Sequence, residues 1–126
     1  MSVKYRVREH INPSNPQAPK KYYPSIISSG RCDQRRLAEL IAAMSTYSSA
    51  DTLGMLEALL TVIPDELAKG NVVELGEFGS FWLKVNADGA ETEDEVRPTQ
   101  IRRLMPHFKP SKAFKNALKS IEFKKS

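Results

Sequence analysis

The chain has little of what catalysis, secretion or membrane insertion would require. It contains one cysteine, Cys32, and two histidines, His10 and His107, among 126 residues. A single cysteine cannot form an internal disulfide, which is typical of a reduced, cytoplasmic protein. No apolar run approaches the ~18 residues of a transmembrane helix, so no membrane association is expected. The first six residues also lack the apolar segment of a signal peptide.

Catalysis would need a positioned acid, base, nucleophile or metal. Neither histidine lies near Cys32 in the sequence, and no Cys or His spacing is typical of a metal site. The acids of Glu91–Glu95 stand almost consecutively, which suits a solvated loop better than a catalytic pair. We therefore expect no enzymatic activity, no cofactor, no metal and no small-molecule substrate.

Charge is strongly segregated along the chain, although the net charge is only +4. Residues 1–36 carry eight bases and two acids, and residues 97–126 carry nine bases and one acid. Residues 37–96 carry two bases and twelve acids. Both ends would attract a polyanion, whereas the acidic middle would oppose it.

The N-terminal residues alternate with a period of two, which predicts a half-exposed strand with one apolar and one basic face. The apolar positions are Val3, Tyr5 and Val7, and the basic positions are Lys4, Arg6 and Arg8. Three prolines between residues 12 and 19 predict a loop. Residues 21–28 hold two tyrosines and two isoleucines and predict a second strand, so residues 1–31 form a β-hairpin extension.

Two helices are predicted next. Asp33 is a suitable N-cap for the first, whose apolar stripe is Leu37, Leu40, Ile41 and Met44. A break at residues 46–49 supplies a new cap, and Gly70 suits the end of the second helix. The second apolar stripe is Leu53, Leu56, Leu60, Ile63 and Leu67. Pro64 is expected to kink or split this helix, because proline cannot donate a backbone hydrogen bond.

Two short motifs frame a long two-stranded segment. The first, Gly76–Phe81, reads Gly-Glu-Phe-Gly-Ser-Phe. It lacks the Gly-Lys-Ser/Thr ending of a phosphate-binding loop, so it predicts a tight bend between strands, with Phe78 and Phe81 in the core. The second motif, Pro106–Lys115, reads Pro-His-Phe-Lys-Pro-Ser-Lys-Ala-Phe-Lys.

The segment between the motifs predicts a ribbon. Residues 80–85 alternate as a strand, Asn86–Glu95 is polar and acidic like a ribbon tip, and Ile101–Phe108 predicts the returning strand. Ser111 can cap a final helix that contains Phe114 and Leu118. Residues 121–123 predict a short last strand, which we expect to pair with the N-terminal strand.

In order and spacing, these motifs resemble the HU and integration host factor family of histone-like, DNA-bending proteins. In that family a Gly-x-Phe-Gly-x-Phe turn leads into a β-ribbon arm. The arm returns to a Pro-x-Phe-Lys-Pro-Gly-Lys segment that opens a final helix. The resemblance extends loosely back to about Asp33 and implies an HU-like domain over residues 32–126, with its arm at about residues 82–104.

The resemblance implies an α+β fold with a helical hairpin, a three-stranded antiparallel sheet extended into the arm, and a C-terminal helix. It also implies an intertwined homodimer, because in that family the matching aromatic side chains lie in a shared core. The dimer core expected here comprises Leu75, Phe78, Phe81, Phe108 and Phe114.

A DNA-binding surface is implied as well, with a basic arm in the minor groove and lysines at the last helix on phosphate. The expected DNA-binding residues are Lys84, Arg97, Arg102, Arg103, Lys109, Lys112 and Lys115. A candidate secondary set in the extension is Lys4, Arg6, Arg8, Lys20 and Lys21. The alternative for the three lysines at the last helix and for the extension is a solvated basic face without a ligand.

This chain departs from the family at the arm tip and at the last helix. The family's tip carries an Arg-Asn-Pro motif whose proline enters between base pairs. Here Asp88–Glu95 holds five acids and no base, and Arg97 precedes Pro98 without an intervening Asn. The glycine of the family's Pro-Gly-Lys is Ser111.

The function expected from the sequence is a cytoplasmic, nucleoid-associated, histone-like protein that binds double-stranded DNA as a homodimer. Its sequence specificity should be low, because phosphate contacts carry no base information. Whether it also bends or compacts DNA stays open. The alternative is an HU-fold dimerisation and protein-interaction module that has lost DNA bending, and the acidic arm motivates it.

Overall fold

The computed structural model describes all 126 residues, Met1–Ser126. The elements in chain order are β1 (Ser2–His10), β2 (Lys21–Ile26), α1 (Gln34–Ala43), α2 (Ser49–Ala68), β3 (Val73–Glu74), β4 (Gly79–Ala87), β5 (Ile101–Pro110), α3 (Lys112–Ala117) and β6 (Glu122–Lys125). Residues 1–33 and 118–126 form one compact unit, and residues 34–117 form a second. The last nine residues thus pack with the N-terminal ones, and domains at 1–31 and 32–126 stay a proposal.

The first unit is a three-stranded sheet with the order β2-β1-β6. β1 pairs antiparallel with β2, from Tyr5 opposite Ile26 to His10 opposite Lys21. β6 runs parallel to β1, with Lys124 opposite Lys4. The last strand therefore pairs with the N-terminal strand, as predicted. Because side chains alternate across a strand, this register gives the sheet one basic and one apolar face.

The second unit begins with the helical hairpin, in which α1 packs against α2. The Ser48 hydroxyl accepts a hydrogen bond from the Asp51 N–H at 3.0 Å and caps the first turn of α2. At the other end, Gly70 adopts a left-handed φ of +85°. Its N–H donates to the Leu67 carbonyl oxygen at 2.9 Å, and the Asn71 N–H donates to the Glu66 carbonyl oxygen at 3.2 Å. These two hydrogen bonds form a Schellman motif at the C-terminus of α2.

Two details of the helices differ from expectation. α2 is one continuous helix from Ser49 to Ala68, so Pro64 does not split it. A proline nitrogen cannot donate a helical hydrogen bond and its ring crowds the preceding turn, so a kink at Pro64 stays a prediction. α3 ends at Ala117, so Leu118 lies beyond it, in the stretch that leads to β6.

The sheet of the second unit has the order β3-β4-β5 and confirms the predicted three-stranded antiparallel sheet. The short β3 pairs with the start of β4, with Val73 opposite Phe81. β4 and β5 form a ribbon that extends from Gly79 opposite Pro110 to Ala87 opposite Ile101. The register shifts between Asn86 and Ala87, just before the tip.

Gly79 is the one glycine of the chain at which another segment approaches the backbone closely. A Cβ at this position would lie 2.4 Å from the Lys109 carbonyl oxygen and 2.7 Å from the Phe108 ring. Gly79 also accepts a hydrogen bond from the Leu75 N–H at 2.9 Å, which closes the bend that contains Phe78. The predicted tight bend is therefore present. Glycine is required at position 79 because a side chain would collide with Lys109 and Phe108 and because the φ of +153° is rarely adopted by other residues.

Little of the chain is fully buried. Ala38 and Leu67 are the only buried residues with an apolar side chain and Thr52 is the only one with a polar side chain, and Gly79 is buried as well. The four phenylalanines of the second unit contact one another but stay partly open to solvent, with Phe108 40% exposed. A chain of this length ordinarily encloses a larger core.

We predict that Gly79→Ala lowers the free energy of unfolding by about 1–3 kcal/mol, because the added methyl group must displace backbone and ring atoms. The matched control is Gly54→Ala inside α2, where an added Cβ has no neighbour within 4 Å. That change should stabilise by about 0.5–1 kcal/mol. Urea denaturation of both variants measures the difference, and equal effects would contradict the close approach at Gly79.

Candidate nucleic-acid interface

The β4–β5 ribbon has one polar face, which we define by the directly opposed pairs of its register. These pairs are Ser80 with Lys109, Trp82 with His107, Lys84 with Met105, and Asn86 with Arg103. Alternation along both strands places all of these side chains on the same side of the ribbon. Three of the predicted DNA-binding residues, Lys84, Arg103 and Lys109, thus share one face.

The polar face leads into an open cleft of about 470 Å³ at the start of α3. The cleft contains three lysines and two serines, together with both glycines of the bend. Its charged lining is Lys109, Lys112 and Lys115. No carboxylate forms an ion pair with any of these three ammonium groups. The sequence predicted the same three lysines, and the fold brings them together around one concave surface of a size that can admit a phosphate group.

Ser111 organises the entrance of this cleft. Its hydroxyl accepts a hydrogen bond from the Phe114 N–H at 3.1 Å, as an N-cap does. The same hydroxyl donates to the Glu77 carbonyl oxygen of the bend, and the Ser111 N–H donates to the Phe78 carbonyl at 3.2 Å. A glycine, which the resembled family has at this position, would lose the two side-chain bonds. Serine here ties α3 to the bend between β3 and β4.

The arm tip holds two of the predicted arginines in internal contacts. Arg102 Nε lies 2.9 Å from Asp88 Oδ2 in an exposed ion pair. The Arg97 guanidinium donates to the carbonyl oxygens of Asp94 and Val96, within the same loop. Arg103 has no such partner and keeps its charge on the polar face. The tip therefore offers fewer free cations than the sequence suggested.

A ring stack lies in the middle of the polar face. The rings of Trp82 and His107 are 5.7 Å apart between centroids and inclined by only 20°. The His107 Nε2 atom is buried and has no hydrogen-bond partner in the protein. Lys84 and Lys109 occupy the next positions on the same face, one toward the tip and one toward the cleft. The stack thus makes a flat, partly apolar surface between cationic side chains.

The predicted dimer-core aromatics form a continuous cluster on the other face of the ribbon. Phe108 lies 4.9 Å from Phe81 and 5.4 Å from Phe78 between ring centroids. Phe78 in turn lies 5.3 Å from Phe114 of α3. Leu75 is half-buried at the start of the bend that carries Phe78. Whether these residues form a shared core stays a prediction.

The secondary basic set divides within the first unit. Lys4, Arg6, Arg8 and Lys21 occupy the basic face of the sheet. Lys20 does not, because its Nζ lies 2.8 Å from Glu9 Oε1. The hydrogen bond and the charge of Glu9 raise the pKa of Lys20 above its ordinary value. Its charge is thus already matched, unlike those of the other four.

Sequence patterns missed two contributors. Lys124 joins the basic face of the first unit because β6 runs parallel to β1, a register that no short pattern fixes. The contact of Trp82 with His107 was missed as well, although the alternation of Ser80, Trp82 and Lys84 had already set Trp82 on the same side as the two polar residues. His107 lies opposite Trp82 through the register of the folded ribbon, which no local pattern fixes.

No group of three His, Cys, Asp or Glu side chains is arranged to hold a metal ion. None of the helices combines the length and the apolar character needed to cross a membrane.

Comparison with known proteins places this geometry in context. The family model described as an HU domain fused to wHTH, Ig, or glycine-rich motif matches residues 1–125. The chain is 35% identical over 86 residues to integration host factor subunit alpha of Azorhizobium caulinodans, across 65% of this chain and 80% of the relative. It is 32% identical over 88 residues to DNA-binding protein HU of Thermotoga maritima, across 68% of this chain and 98% of the relative.

A solved structure shares the fold. It is described as a candidate bacterial DNA-binding protein from Bacteroides vulgatus and superposes with a TM-score of 0.67 at 10% identity. The match covers 98% of this chain, but the chain spans only about half, 48%, of that protein. At this identity the likeness concerns the fold alone, and it confirms the α+β architecture.

Proposed function

Because this chain belongs to the family of HU domains fused to wHTH, Ig, or glycine-rich motifs, we propose that it is a histone-like protein that binds double-stranded DNA as a homodimer. The observation that carries the proposal is the cleft with Lys109, Lys112 and Lys115, which continues into the polar face of the ribbon. Unpaired lysines on a concave surface attract phosphate and release counterions from DNA. The protein would thus act without catalysis and associate with the nucleoid.

Low sequence specificity follows from the kind of side chain at this surface. Lysine ammonium groups make point-charge contacts with phosphate oxygens, which are the same at every base pair. Arg103 and the Trp82–His107 stack lie farther along the ribbon and supply the arm-side contacts. With five acids at its tip and Arg97 and Arg102 held internally, the arm is expected to contribute less than the cleft.

The homodimer is supported by the apolar surface that one chain leaves open. Leu60 is 68% exposed although it lies in the middle of the apolar stripe of α2. Leu37, Leu40 and Ile41 of α1 are also exposed, as is the aromatic cluster in part. Exposed apolar patches of this kind mark association surfaces, and a second copy that covers them would complete the core.

A second candidate function rests on the acidic tip. The eight residues Asp88–Glu95 carry five acids, which phosphate would repel and a basic protein surface would attract. On this alternative the fold serves as a dimerisation and protein-interaction module. A wild-type protein that fails to bind duplex DNA even at ~50 mM salt, where non-specific contacts are strongest, would favour it.

We predict that Lys109→Gln with Lys112→Gln weakens duplex binding and lowers the magnitude of the log–log salt slope by about 1.8, since each neutralised phosphate contributes about 0.9. The matched control is Lys20→Gln with Lys69→Gln, which removes the same net charge. Both control lysines already pair with carboxylates, Glu9 and Glu66. Fluorescence anisotropy of a labelled ~30-bp duplex gives both slopes, and an equal change in the two variants would contradict the cleft assignment.

The homodimer is tested by Leu60→Glu. A charge placed in a shared apolar core without a partner costs about 3–5 kcal/mol, which raises the dimer dissociation constant by a hundredfold or more. Thr61→Glu is the control, because Thr61 lies one residue away on the polar stripe with Glu57 and Asp65. Sedimentation at micromolar concentration should show dimers for the wild type and the control and monomers for Leu60→Glu. A monomeric wild type would refute the proposal.

Asp88→Asn should raise duplex affinity about 1.4-fold to fivefold at low salt, because it releases Arg102 and one exposed charge contact is worth about 0.2–1 kcal/mol. Glu91→Gln removes an unpaired acid from the same loop and controls for net charge. The same anisotropy titration measures both variants. Equal gains in the two would mean that the arm responds to charge alone and that Arg102 makes no contact.

A further inference from the structure

The first unit carries a basic surface of its own, which we call the basic sheet face. It consists of the side chains that the register places on one side of the β2-β1-β6 sheet: Lys4, Arg6, Arg8, Lys21 and Lys124. Arg6 stands opposite Ser25, and Arg8 stands opposite Tyr23. Three cations thus follow one another at every second residue of β1, flanked by one from each neighbouring strand.

These charges are not matched within the protein. None of the five forms an ion pair, and the only acidic side chain that the register puts on this face is Glu122, opposite Ser2 at one end. Lys4 and Lys124 stand directly opposite each other, and like charges in such a pair destabilise a sheet. The acid next to Arg8 in sequence, Glu9, lies on the other face and is engaged by Lys20. The arrangement favours an external anion.

A cleft of about 400 Å³ opens at the end of this face. Its lining is His10, Asn12, Ala18, Pro19, Lys21 and Tyr23. Tyr23 is 48% exposed, and its ring meets the His10 ring edge-on at 5.9 Å between centroids. The Asn12 side-chain oxygen accepts a hydrogen bond from the Ser14 N–H at 3.0 Å, which leaves the Asn12 NH₂ group free to donate. The cleft therefore combines aromatic surface, a polar donor and a cation.

We propose that the basic sheet face is a second nucleic-acid site, which binds single-stranded nucleic acid. The backbone phosphates lie along Lys4, Arg6 and Arg8, and an unpaired base enters the cleft against Tyr23. A cationic surface beside exposed aromatic rings is how single strands are bound without sequence preference. A duplex keeps its bases stacked inside and cannot offer one to the cleft. This site lies wholly within the first unit and does not depend on the proposed duplex site.

The test uses the full chain and two labelled probes, a ~12-nucleotide oligothymidine and a ~30-bp duplex. Arg6→Gln with Arg8→Gln should lower the magnitude of the salt slope for the oligonucleotide by about 1.4, since single strands contribute about 0.7 per contact. Tyr23→Leu should weaken oligonucleotide binding fivefold or more, because stacking of one base is lost. The control is Tyr22→Leu, because Tyr22 is also exposed but its strand position puts it on the apolar face.

The outcomes separate this proposal from the proposed duplex function. A second site is supported if oligonucleotide binding persists in the Lys109→Gln, Lys112→Gln double variant but weakens in the Arg6→Gln, Arg8→Gln double variant and in Tyr23→Leu. This conclusion holds even if duplex binding fails. Wild-type affinity for the oligonucleotide in both the Arg6→Gln, Arg8→Gln double variant and Tyr23→Leu would overturn the proposal. Equal losses of affinity for the oligonucleotide and for the duplex in Tyr23→Leu would also overturn it. The same holds if poly-glutamate at the same charge concentration displaces the oligonucleotide and Tyr23→Leu has no effect. Either result would make the face a general surface for anions.

Discussion

The cluster of Phe78, Phe81, Phe108 and Phe114 is the interaction on which the rest of the second unit depends. Its ring contacts join the bend, both strands of the ribbon and the last helix, and Gly79 allows the backbone to approach closely enough for them to form. Because Phe108 points into the cluster, the next residue, Lys109, must point to the opposite face. The position of the basic cleft is thus a consequence of aromatic packing, and Ser111 fixes α3 beside it.

One chain alone does not bury the apolar side chains in and around this cluster. Aromatic and aliphatic side chains of the ribbon and the helices stay exposed around a core of only two buried apolar residues. Burial contributes about 25 cal/mol per Å² of apolar surface, so a partner chain that covers this surface would add much of the stability that the single chain lacks. On the proposed account, dimerisation and DNA binding use opposite faces of one ribbon, the apolar face for the partner chain and the polar face for phosphate.

Much of this fold could be predicted because its signals are local. The Ser48 cap, the Gly70 stop and the glycine bend each depend on the chemistry of a few consecutive residues, and alternation separated the faces of β1 and β4. What could not be predicted depends on side-chain partners and on register. Arg97 and Arg102 contact a carbonyl oxygen and a carboxylate of their own arm, which no short pattern indicates. Lys124 joins a basic face only through a parallel pairing over some 120 residues of sequence separation.

The most direct test of the account is the mass of the complex that the wild-type protein forms with one ~30-bp duplex at ~50 mM salt, measured by light scattering after size-exclusion chromatography. The account predicts a complex that contains one duplex and an even number of chains, at the least two chains of 14.2 kDa each, and that dissociates as salt is raised, because phosphate contacts hold it together. A single chain per duplex would contradict the shared core. No complex at all would contradict DNA binding and turn attention to protein partners of the acidic arm.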